Sequence, residues 1–94
     1  MALLFEWDPK KARHNLKTHG VSFDEASTAF QDPLSRTIPD PLHSEGEDRF
    51  VLIGCSHRNR LLVVVHTDRG DRIRIISARP ATKKERLGHE ENAE

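Results

Sequence analysis

The chain has one cysteine, one tryptophan and no tyrosine in 94 residues. A single thiol, Cys55, excludes an intramolecular disulfide and fits a reducing compartment. It lies in the apolar run Phe50 to Cys55, as a buried, inert thiol would. The six histidines show no i, i+4 pair and there is no C-x-x-C, so structural zinc is unsupported. His43, Glu45, Glu47 and Asp48 read better as an acidic loop than as a cation site. Gly70 stands alone in a turn, so there is no glycine-rich phosphate loop, and Ser77 has no serine-hydrolase context. The longest apolar run, Leu61 to Val65, is far below a membrane span. Ala2 to Phe5 is broken by Glu6 and is too short for a signal peptide. These absences point to a single domain over residues 1–94, located in the cytoplasm, without membrane, metal or cofactor.

What the chain does have is charge, sorted into blocks. Net charge is zero with 32% charged residues, yet residues 58 to 86 hold nine Arg or Lys against three acids. Residues 24 to 48 hold seven acids against Arg36 alone. Separated charge makes a local field even when the total cancels, which is a statement about partners. A chain of this length buries only roughly 60–65% of its unfolded surface, so the core is modest.

In order, Leu3 to Trp7 reads as a short strand. Asp8-Pro9 writes a helix start, with Asp as N-cap and Pro in the first turn. Ala12, Leu16 and His19 share the expected inner face, and Gly20 ends the helix. Ser22 and Glu25 form a capping box opening a second helix, with Val21 and Ala26 as a staple. Phe23, Ala26, Ala29 and Phe30 make its buried stripe, and Asp32-Pro33 stops it. Leu34 to Ile38 reads as an edge strand, bracketed by prolines, and Asp40 to Asp48 as an acidic loop. Arg49 to Cys55 and Leu61 to Thr67 form a hairpin, the second strand apolar enough to be covered on both faces. Asp71 to Ala78 alternates Ile73 and Ile75 with Arg72 and Arg74, and Arg79 shares parity with the isoleucines. Pro80 ends that strand. Thr82 and Glu85 form a second capping box, and residues 87–94 read as a fraying tail. The order predicts an α+β fold, an antiparallel β-sheet with two N-terminal helices and one C-terminal helix on one face.

FEWDPKKARHNLKTHGVSFDEA near the start and VVHTDRGDRIRIISARPATKKER near the end resemble the BrnT family of type II toxin–antitoxin toxins. The resemblance covers Phe5 to about Arg86. It implies a RelE-like fold and a metal-independent endoribonuclease that cleaves RNA and inhibits translation. It also implies a BrnA-like ribbon-helix-helix antitoxin, through which alone the pair reaches operator DNA and represses its own operon. The family commonly carries a tyrosine a few residues after the E-R of the last helix, where this chain has Gly88 and His89.

RNA cleavage without metal needs a base for the 2′-hydroxyl, an acid for the leaving 5′-oxygen and cations against the growing phosphorane charge. Arginine suits the last role because it stays ionised and grips two phosphate oxygens. Arg79, Arg69 and Arg74 are the candidates, Arg79 foremost because an arginine on the packing side of a strand end needs a partner or a cleft. Lys17, Lys83 and Arg72 are secondary RNA contacts, and Trp7 could stack on a base, although a core role explains it as well. For proton transfer the sequence offers His66, His19 and Glu85. His66 could face the open side of the sheet or be a satisfied core histidine. His19 could instead serve the helix C-terminus, and Glu85 its capping box. The competing reading is a non-catalytic binding module that completes an autorepressing antitoxin–DNA complex. Its basic face would dock an acidic helix, and a sheet edge could accept a strand. The chain itself lacks a basic recognition helix for DNA.

Overall fold

Asp8 begins the first helix as its place before proline predicts. Its carboxylate accepts the Lys10 N–H at 2.8 Å, and Gly20 closes the helix at φ 70° with its N–H on Leu16 O. The computed structural model describes residues 3–40 and 48–92; most of the expected acidic loop lies outside the described residues. Three helices, α1 (Pro9–His19), α2 (Phe23–Thr28) and α3 (Lys83–Asn92), accompany five strands. These are β1 (Leu4–Glu6), β2 (Arg36–Pro39), β3 (Arg49–Cys55), β4 (Leu61–Arg69) and β5 (Arg72–Pro80). They form one sheet in the order β1-β5-β4-β3-β2.

The α+β class is as expected, and β2 to β5 pair antiparallel. β1 adds a refinement: it runs parallel to β5, Phe5 opposite Ile73, so the sheet is mixed. A hairpin cannot join parallel neighbours, and here α1, α2 and three strands intervene. β4 is central, with Leu62, Val63 and Val64 all buried, as its unbroken apolar run predicts.

One face of the sheet packs on α1 and α2. Leu62, Val64, Ile75 and Ala78 meet Val21, Phe23 and Ala26, with Phe5, Trp7, Ala12 and Phe30 around them. The inner face of α1 differs from the expected one. Leu16 is 52% exposed and His19 is exposed, whereas Asn15 is buried. The Asn15 amide donates to Ala78 O at 2.8 Å and Val21 O at 2.9 Å, and its oxygen accepts the Ala78 N–H at 3.1 Å. It exchanges two bonds with Ala78 as a neighbouring strand would. β1 pairs only with residues 72–74, and Asn15 satisfies the edge of β5 beyond that point.

A second clip joins the two charge blocks. Glu25, nearly fully buried, accepts from Ser56 Oγ at 2.7 Å and from Arg60 Nε at 2.9 Å. Arg60 Nη2 also bonds Glu25 and donates to Gly20 O at 3.0 Å. The Ser22 hydroxyl accepts the Glu25 N–H at 3.0 Å, so half of the predicted capping box forms while the carboxylate turns to Arg60. Arg60 foremost, with Ser56 and Arg58, holds the Glu25 carboxyl down at about 2. Gly54 is required where the turn after α2 crosses β3. A Cβ there would lie 2.8 Å from Ala29 O and 2.9 Å from Ser35 Cβ.

The third helix departs from the one-face arrangement. α3 runs to Asn92, beyond the start of the expected frayed tail, and lies against the opposite face of the sheet, where Glu85 meets Arg79.

Candidate functional site

The sheet face under α3 is built by a β-bulge. On β5, Ser77 pairs with Val65 but Ile75 with His66, leaving Ile76 as an extra residue. That residue resets the alternation. Ile73 and Ile75 face α1 and α2, whereas Arg74, Ser77 and Arg79 face the other way. The parity that put Arg79 with the isoleucines is therefore overturned: Arg79 shares its face with Arg74. Its need for a partner is nonetheless met. Nη1 and Nη2 bond the two Glu85 oxygens at 2.7 and 2.9 Å.

Glu85 completes the second capping box, accepting the Thr82 N–H at 2.8 Å while its own N–H reaches Thr82 Oγ1 at 3.1 Å. The Arg79 guanidinium, followed by the Thr82 bonds, holds the Glu85 carboxyl down at about 2. Glu85 is thus a carboxylate at neutral pH. A fork held at both nitrogens presents Arg79 in one orientation.

Between α3 and the sheet lies a cleft of about 380 Å³. Val51, Ile53 and Val63 form its floor, Arg36 and Ile38 of β2 one wall, and Glu85, Gly88 and His89 the other. Arg36 is opposite Ile53, and Arg79 opposite Val63, in the same row of the sheet. An apolar floor between two arginines suits a planar base with phosphates on either side. A second cleft of about 520 Å³ continues past His89 to Asp32, Cys55, Arg60 and Arg86. Cys55 is half-buried there, more open than its apolar run predicts.

The other expected residues are scattered. Arg69 and Arg72 face each other at the β4–β5 turn, roughly 20 Å along the strand from Arg79. Arg74 is held by Glu6 at 2.7 Å. His66 does not face the open side: it is buried on the helix-covered face, with Phe30 and Phe50 ring centroids 4.8 and 5.9 Å away. Burial pushes its pKa down, and Nδ1 lies 3.3 Å from Val64 O. It is the core histidine of the two alternatives. Trp7 packs edge-on to Phe23 at 5.9 Å, again the core alternative. Lys17 and His19 are exposed on α1, and His19 lines a separate groove with Lys10, Lys11 and His14 against β5. Lys83 is exposed in the first turn of α3. Of the expected set, Arg79 and Glu85 come together, with Glu85 lining the cleft and Arg79 beside its floor residue Val63.

Sequence reasoning missed Arg36, and it gave His89 no catalytic role. The signal for Arg36 was its isolation, the one base in an acidic block. A model of the family described as the ribonuclease toxin BrnT of type II toxin–antitoxin systems matches residues 7–85. The chain belongs to the BrnT family. Its fold agrees: the crystal structure of the Brucella abortus ribonuclease toxin BrnT superposes with a TM-score of 0.69. That match is at 21% identity over 87% of this chain and 100% of that one. No curated protein matches the chain. Membership in BrnT implies a ribonuclease toxin and an antitoxin partner. Among the described residues no helix is long and apolar enough to cross a membrane, and no cluster of three or more His, Cys, Asp or Glu could hold a metal ion.

Proposed function

We propose that this BrnT chain is a metal-independent endoribonuclease toxin of the cytoplasm that stops translation by cutting RNA in the cleft under α3. The observation that carries the reading is Arg79, held as a bidentate fork by Glu85 beside an apolar floor with Arg36 opposite. In this reading Arg79 receives the scissile phosphate, using donor hydrogens the Glu85 pair leaves over. Its charge offsets the negative charge that develops as the 2′-oxygen attacks phosphorus. Arg36 takes a neighbouring phosphate, and Val51, Ile53 and Val63 support the base. Glu85 is a positioning residue: an ionised carboxylate with so low a pKa is a poor base and carries no proton to give. Arg74, Arg72, Arg69 and Lys17 extend the basic surface that gathers RNA, and Lys83 flanks the cleft. The antitoxin is a BrnA-like ribbon-helix-helix protein whose own domain reads the operator. It inhibits by covering the arginine-rimmed face.

The test is cleavage of RNA in excess EDTA by antitoxin-free protein, wild type against Arg79→Ala, with analysis of the ends. Products ending in 2′,3′-cyclic phosphates, lost in the variant, support the reading. Intact RNA with the wild type, together with an Arg79→Ala variant that no longer binds its antitoxin, would replace it with the binding-module alternative.

A further inference from the structure

We infer that His89 is the general base of this site, its neutral imidazole taking the proton from the 2′-hydroxyl of the RNA; the inference rests on the ribonuclease reading above. His89 lines both clefts under α3, at the point where they meet. Among the described residues, its Nδ1 is shielded from solvent without a hydrogen-bond partner, and no bond engages the other ring nitrogen. A shielded imidazole nitrogen left unsatisfied is unfavourable, and no structural bond accounts for the ring's place there.

The other described histidines have different surroundings. His66 is shut between phenylalanines in the core. His14 bonds Thr18 and His57 bonds Thr28. His19 faces the groove along α1 instead. Glu85 is engaged by Arg79 and Thr82. His89 is the histidine that lines both clefts and, among the described residues, has no other hydrogen bond.

The groups facing it come from every neighbouring element. Arg36 lies on β2, and Glu85 and Glu90 are on its own helix. Asp32 precedes β2, Cys55 ends β3, and Arg60 and Arg86 line the second cleft. Cations and carboxylates are both present around the ring.

In the step assigned to it, His89 removes the 2′-hydroxyl proton as that oxygen bonds to the adjacent phosphorus. The bond from phosphorus to the 5′-oxygen breaks, leaving a 2′,3′-cyclic phosphate. A water molecule protonates the departing 5′-oxygen, and the imidazolium returns its proton to the hydroxide so formed. No other reactant enters.

The experiment follows cleavage of a single-stranded RNA oligonucleotide in EDTA by the full chain between about pH 5 and pH 9. Wild type, His89→Gln and His89→Gly are compared, the glycine variant also with added imidazole, and folding is checked by circular dichroism. The expected wild-type profile shows an acidic limb, the rate falling at low pH as the catalytic base takes up a proton. His89→Gln should be roughly 10²–10⁴-fold slower and lose that acidic limb, and imidazole should restore His89→Gly. A folded His89→Gln variant that retains the limb, whether fast or slow, overturns the assignment. So does a folded His89→Gly variant that imidazole leaves unchanged. Wild type that leaves RNA intact overturns the ribonuclease reading instead, and the inference with it.

Discussion

Glu25 and Glu85 occupy the same place in two helices, the third residue after Ser22 and Thr82 in S/T-x-x-E boxes. Each is gripped by an arginine from the sheet side, and each carboxyl is held down at about 2. Their surroundings differ. Glu25 has only 3% of its side chain exposed, and its arginine immediately precedes β4. Glu85 is 33% exposed and Arg79 41%, at the lip of a cleft. The buried Glu25 carboxylate ties α2 to the β3–β4 turn, although Arg60 also borders the second cleft. The half-open pair aims an arginine at solvent. On the function proposed above, one sequence motif serves stability in one place and a site in the other, according to how far the carboxylate is buried.

The sharpest way to break this comparison is to remove the buried carboxylate. Glu25→Ala leaves the buried Ser56 hydroxyl without its acceptor and Arg60 without its partner, which should cost about 2–3 kcal/mol by urea unfolding. A loss below about 1 kcal/mol would make the two pairs equivalent. Asn15→Ala is next. It strips buried bonds from Ala78 and Val21, and a destabilisation of roughly 2–3 kcal/mol is expected. The same melt reads it, and an unchanged midpoint would mean that water satisfies the strand edge. Glu85→Gln should behave oppositely, shifting stability by no more than about 1 kcal/mol. RNA cleavage should fall because Arg79 loses its fork; unchanged activity would remove the positioning role from Glu85.

Acid unfolding sharpens the same contrast. A carboxyl with a depressed folded-state pKa contributes stability that is full above its ordinary value of 4.5 and is lost as pH falls toward about 2. Between those limits Glu25→Gln should flatten the pH dependence of unfolding strongly. Glu85→Gln should flatten it only slightly, since solvent screens its pair. Equal flattening would contradict the assignment of one pair to the core and the other to the surface.

Local chemistry made much of this legible from sequence. The Asp8 cap, the Gly20 stop and the Thr82–Glu85 box are written within a few residues, and they formed as expected. The apolar run of β4 marked the centre of the sheet. What escaped depends on contacts far apart in the chain. Asn15 reads as a polar residue on a basic helix until Ala78, 63 positions later, offers it a strand edge. The Ile76 bulge leaves no alternation break that a period-two reading detects, and it reversed the face of Arg79. Arg36 and His89 meet only because β2 closes one sheet edge and α3 folds over the face. The family resemblance supplied the chemistry, and the long-range geometry selected which residues fit it.

The most direct measurement is RNA cleavage by Arg79→Ala set beside its thermal unfolding, with Arg60→Ala treated in the same way. The expected result is a folded Arg79→Ala protein with a near wild-type melting temperature and cleavage reduced at least about 10²-fold, while Arg60→Ala melts early. Full cleavage by Arg79→Ala, or a loss that merely follows unfolding, would contradict the division between a structural and a functional arginine–glutamate pair.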